Sequence, residues 1–247
     1  MRVVLFVASL FLFSVAYTES LAITVNNIEI ENITIPAIQP VQALIASRNT
    51  VSTEVVGFVK KTVASIHHNH YKLGGTYFDL SHGKYNIDCS SYVDDLLKTV
   101  SPRAYYTLAA YTGTNHPTTE HYFDFFRHLT TTANQYWNTV KNVKELRPGD
   151  ILVLRFKKSS HAEEGHIMIV MNKPVPQGNG YVIRVADSAP FAHSEDTRTV
   201  KHTSGIGVGT MLVKSDPETG KLSSYAWKLD APYRNNVHFE MARVATV

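Results

Sequence analysis

The spacing of apolar positions changes near residue 150. Before it, they recur at helical intervals. Val55, Phe58, Val59, Val63 and Ile66 predict a helix that starts at Thr50, with Thr50 or Ser52 as its cap. Tyr92, Val93, Leu96, Leu97 and Val100 predict a second helix over about 89–100, capped by Asp88 and closed by Pro102. A third stripe, Tyr122, Phe123, Phe126 and Leu129, begins at Thr119, and the polar stretch 130–145 reads as partly helical around Trp137. The paired Gly74-Gly75 mark a loop after His67-His68-Asn69-His70, which reads as a helix end.

After the turn Leu146-Arg147-Pro148-Gly149-Asp150 the pattern becomes that of strands. Ile151–Phe156 and His166–Met171 predict a hairpin, and Tyr181–Ala186 a third strand. Thr210–Val213 and Ser223–Lys228 flank a strong turn at Asp216–Gly220, and Val237, Phe239 and Met241 alternate in a last strand. Gly205-Ile206-Gly207-Val208-Gly209 reads as a tight turn or bulge before a strand; without a Gly-Lys-Ser/Thr ending or a following helix it is no nucleotide loop. Helices first and strands afterwards is the pattern of an α+β domain on an antiparallel sheet. Residues 51–247 are expected to form that domain. Residues 17–50 form an N-terminal arm, with a short strand at Leu21–Val25.

Composition narrows the setting. A 44% hydrophobic share supplies an ample core, so disorder is excluded as the main state. The net charge of +3 suits polyanionic surroundings such as a cell wall but is too weak to argue for nucleic acid. Residues 1–16 read as a secretory signal: Arg2, then the apolar run Val3–Val15, then the small-x-small site Ser14-Val15-Ala16. That run falls short of the roughly 20 residues a span needs, and no other stretch reaches it. The expectation is an exported chain, periplasmic or secreted, with no stable membrane insertion once the signal is cut.

Export gives the single cysteine its weight. Cys89 has no partner for an internal disulfide, and it falls in the first turn of a predicted helix. There, unpaired backbone N–H groups and the helix dipole favour thiolate. A cysteine nucleophile needs a base, and the base an orienting group. His166 stands at the mouth of a buried strand, and Asp187 follows the third strand, with Ser188 and His193 as alternatives for the orienting role. The run His67–His70 lacks acidic or cysteine partners at ligand spacing, so neither metal nor cofactor is expected.

Tyr71-x-x-Gly74-Gly75, Asp88-Cys89-Ser90, Arg147-Pro148-Gly149-Asp150 and Gly165-His166-Ile167-Met168-Ile169-Val170, in that order, resemble the NlpC/P60 and CHAP cysteine peptidases over roughly residues 55–190. The resemblance implies a papain-like fold, with N-terminal helices, including the nucleophile helix, packed on an antiparallel sheet. It implies Cys89 as nucleophile, His166 as base, Asp187 at the third polar position and Tyr71 as a hydroxyl at the oxyanion. Asp88 and Ser90 would meet a substrate's free amine. Ser91 departs from the family, which usually has glycine there, and the insert at about 101–145 is long.

The expected function is an exported cysteine hydrolase that cleaves an amide bond in peptidoglycan stem peptides by Cys-His-Asp catalysis. Its rivals are an acyltransferase or effector amidase acting on protein or lipid, and a binding module that keeps the fold without turnover.

Overall fold

The computed structural model describes residues 39–157, 165–198 and 203–246, with side chains from residue 51 onward. The chain divides into two units, Met1–Gln42 and Ala43–Val247, and both cores belong to the second. The expected signal, most of the arm and the strand at Leu21–Val25 lie outside the described residues.

The first helix, α1 (Gln39–Ala64), starts well before its apolar stripe, with Pro40 in its first turn, where a missing N–H costs nothing. Thr50 and Ser52 therefore lie inside it rather than at its start; Ser52 donates to the Pro148 carbonyl. The polar run expected as a helix end is a strand. β1 (His68–Tyr71) joins β2 (Thr76–Asp79) and β3 (Lys84–Ile87) in a small sheet of order β1-β3-β2. β1 runs parallel to β3 and places Tyr71 opposite Ile87.

α2 (Cys89–Val100) follows directly, with Asp88 as N-cap. Pro102 does more than end it: it is the first residue of α3 (Pro102–Thr112), where proline is well suited. α4 (Thr119–Leu129) is capped by Thr118 rather than by Thr119. Around Trp137 there is a strand, β4 (Trp137–Thr139), followed by a 3-10 turn at Val143–Glu145. The Trp137 ring packs 5.2 Å from Phe126 and its N–H donates to the Ala104 carbonyl at 2.9 Å, so tertiary packing decides its conformation.

The remaining strands are β5 (Ile151–Phe156), β6 (Gly165–Val170), β7 (Val175–Gln177), β8 (Gly180–Ala189), β9 (Gly205–Ser215), β10 (Leu222–Ala226) and β11 (Val237–Val244). They pair antiparallel in the order β10-β9-β8-β6-β5-β11-β4, with β7 on β8. The architecture is α+β. The side chains of β5 and β6 alternate between two cores. Ile151, Val153, Ile167 and Ile169 pack with the helices, and Leu152, Leu154, Met168 and Val170 fill the other face. There the sheet curls, and Tyr225 of β10 stacks 6.5 Å from Phe156 of β5.

The motif Arg147-Pro148-Gly149-Asp150 has a structural reason. Asp150 accepts from its own turn at Arg147 N–H (2.8 Å) and takes both prongs of Arg243, at 2.6 and 2.8 Å. It thereby ties the start of β5 to β11.

Candidate functional site

The site begins with the cap of α2. The extended backbone of Asp88 lets Oδ1 accept the Ser91 N–H at 2.8 Å and the Ser90 hydroxyl at 3.1 Å. Its other oxygen, Oδ2, accepts the Gly74 N–H at 3.0 Å, and the Asp88 N–H donates to the Gly75 carbonyl. The double-glycine loop is thus folded onto the residue before the cysteine. Gly74 needs a positive φ (+69°) to do this, and a Cβ on Gly75 would lie 2.7 Å from the Asn86 carbonyl. Asp88 and Ser90 are both buried, with their polar atoms engaged in this arrangement. Tyr71 ends β1 beside Ile87, so its backbone is held next to the segment that leads into Cys89.

Cys89 occupies the first position of α2, where the N–H groups have no carbonyl partners within the helix, and it keeps 6% of its surface exposed. Its Sγ lies 3.6 Å from the hydroxyl of Thr119, the first residue of α4. The Thr119 methyl in turn presses on Gly165, where a Cβ would sit 2.9 Å from it and 2.2 Å from the Leu154 carbonyl. The glycine before His166 is therefore required by close approach.

α2 packs over β6 and β8, which pair only at Ile169–Ala186 and Val170–Val185. Toward the Gly165 end a side-chain bond takes over from the ladder: His166 Nε2 lies 2.8 Å from Asp187 Oδ2. That leaves Nδ1 free of Asp187, on a ring whose positive charge the neighbouring Cys89 also favours. Burial alone would push the imidazole toward neutrality. The facing Cys89 and the bond to Asp187 outweigh it and raise His166 to about 10, so the ring is an imidazolium at neutral pH.

Asp187 lies inside β8, which runs on past the expected end at Ala186 to Ala189. Burial opposes its charge, but Arg198, His193 and His166 surround it and hold the carboxyl well below the usual range. Arg198 donates to Oδ1 at 2.8 Å, while His193 Nε2 shares Oδ2 at 2.9 Å. Arg198 also grips Asp196 with Nε (2.9 Å) and Nη2 (2.8 Å), and reaches the Gly205 carbonyl with Nη1. The His193 ring stacks on Trp227 at 4.1 Å, and Trp227 meets His166 edge-on at 5.1 Å. Ser188 points elsewhere, donating to the Ile87 carbonyl at 2.7 Å.

This network rests on bare backbone. The stretch Gly205–Gly209, expected as a turn or bulge, is the first half of β9, with Gly207 opposite Asp187. A Cβ at Gly207 would lie 2.4 Å from Arg198 Nε, and one at Gly209 would lie 2.5 Å from Asp196 Oδ2. Alternate residues of a strand share a face, so the glycine repeat clears one face for buried charge. That alternation was the available signal for Asp196 and Arg198, which sequence reasoning missed along with Thr119 and Trp227.

The arrangement joins a thiol at a helix N-terminus, an imidazolium facing it and a fixed carboxylate behind. Chemically it can attack a carbonyl and move a proton. Among the described residues no group of histidine, cysteine or acidic side chains is placed to hold a metal ion, and no helix is long and apolar enough to cross a membrane. Comparison with family models, with curated proteins and with solved structures finds no match for the chain.

Proposed function

We propose that this chain is an exported cysteine hydrolase of amide bonds, with a papain-like NlpC/P60 arrangement and peptidoglycan stem peptides as its substrate. The observation that carries the reading is the line Cys89, His166, Asp187, in which the sole cysteine faces a histidine whose other nitrogen is fixed at 2.8 Å by a buried carboxylate. A structural cysteine needs no such partner. Cys89 Sγ attacks the carbonyl carbon, and the carbonyl π electrons move to oxygen. The oxyanion is met by the N–H of Cys89 and the Tyr71 hydroxyl. On collapse the C–N bond breaks, and the leaving nitrogen takes the proton from His166. Water then attacks the thioester carbonyl carbon and gives a proton to His166; the C–S bond breaks, its electron pair returns to Cys89 Sγ, and the acid is released.

The test uses a small reagent and a wall digest. Iodoacetamide is expected to alkylate native Cys89 at neutral pH, and mass analysis of treated stem peptides to show a new amine terminus. Cys89→Ala is expected to abolish both with the fold kept. Labelling that requires denaturant would mark Cys89 as a buried structural residue and overturn the reading.

A further inference from the structure

The mechanism above uses one of the two histidines on Asp187. His193 is fully buried, and both its nitrogens are committed. Nε2 lies 2.9 Å from Asp187 Oδ2, and Nδ1 lies 3.0 Å from the Trp227 carbonyl oxygen. A carbonyl only accepts, and so does an ionised carboxylate. A neutral ring would set a lone pair against one of these oxygens, and a flipped ring would set carbon against both. Only the doubly protonated ring satisfies the two contacts.

The charges of the cluster agree. Facing His193 are Asp187 of β8, His166 of β6, and Asp196 and Arg198 of its own loop, while β9 opposite offers glycine. On the catalytic reading Cys89 and His166 share one proton, so that pair together carries no net charge. Behind them, two carboxylates stand against the single guanidinium of Arg198, all three nearly or wholly without solvent. Unless His193 is charged, the cluster buries an uncompensated negative charge, which is costly. That charge would fall on His166 and hold its proton.

We propose that His193 is a positioning residue, a second imidazolium on Asp187 that offsets the surplus carboxylate charge and so lets His166 release its proton to the leaving nitrogen. The inference rests on Cys89 and His166 acting as nucleophile and base. His193 gains and loses no proton in the cycle. During acylation, Sγ–C forms, C–N breaks, and the His166 proton passes to nitrogen. The residual set of Asp187, Asp196, Arg198 and His193 stays neutral before and after.

Two measurements test it. In the wild-type protein, nitrogen-resolved NMR of the histidine rings is expected to show both His193 nitrogens protonated at pH 7; one bare nitrogen would overturn the proposal without any variant. In His193→Gln, His166 is expected to hold its proton about ten- to a hundredfold more tightly, because a like charge within about 6 Å has been removed. It would then titrate about one to two pH units higher. A lower melting temperature with His166 titrating as before would make His193 merely structural. Failure of Cys89 to alkylate in the wild type, with His193 doubly protonated, would instead sink the catalytic reading and leave the charge assignment standing.

Discussion

Asp94 sits in the middle of α2 with 2% of its surface exposed, and its side chain accepts a hydrogen bond from the Tyr122 hydroxyl at 2.7 Å. Burial raises its carboxyl from 3.8 to about 7; Tyr122 and Lys98 pull it back, and the negative Asp95 and Asp88 add to the rise. The folded state thus binds a proton that the unfolded chain has already lost. For an acid raised in this way, the penalty is absent below the unfolded value and complete above the folded one. Between about pH 4 and pH 8, stability therefore falls on account of this group. The rise amounts to roughly three tenfold changes in proton affinity at about 1.4 kcal/mol each, or about 4 kcal/mol when complete. Asp94→Asn removes the ionisation and keeps an oxygen for Tyr122. Its new amide donors cost about 1 kcal/mol at any pH if unpaired. Urea unfolding of both proteins at about pH 4.5 and about pH 8 isolates the pH-dependent part, because other titrating groups cancel between them. The variant should gain about 3 kcal/mol on the wild type between the two conditions. A difference that stays constant with pH would show that Asp94 is comfortably ionised and would refute the argument.

Asp187→Ala strands Arg198, His193 and His166 in a buried site, and should cost about 3–5 kcal/mol in chemical denaturation. Unchanged stability would mean that the charges are solvated after all. Gly207→Ala drives a methyl into Arg198 and Asp196 and should cost about 1–3 kcal/mol, with slower alkylation of Cys89. Gly57→Ala, in α1 with nothing within 4 Å, should stabilise by up to about 1 kcal/mol. Equal effects of the two on melting temperature would contradict the packing account of the glycine repeat.

The helix around Cys89, the β5–β6 hairpin and the last strand were legible because each buries one face, so period alone reveals it. The small sheet was not. His68–Tyr71 is a polar, edge-like strand whose pairing partner lies beyond the double-glycine loop. Pro102 was misleading because proline ends one helix and begins the next equally well. Around Trp137 packing on Phe125 and Phe126 overrode local propensity. Cys89, His166 and Asp187 of the proposed site stood out because a sole cysteine at a helix start, a histidine opening an apolar strand and an acid closing one are each strong local signals. Arg198 carries no such signal: its role depends on the missing side chains of β9, a property of the partner strand rather than of its own neighbours.

The placement of β11 bears on how the molecule is made. This strand, which follows all the other described strands, is inserted between β5 and β4, and among the described residues β4 pairs with no other strand. During synthesis, β5 therefore presents an open edge with the run Ile151-Leu152-Val153-Leu154 until residues 237–244 emerge. Closing that slot joins segments some eighty residues apart, a slow, high-contact-order step. A chain cut before Val237 would keep every residue of the site and still expose a sticky edge, so its expected fate is aggregation or capture of a strand from another copy.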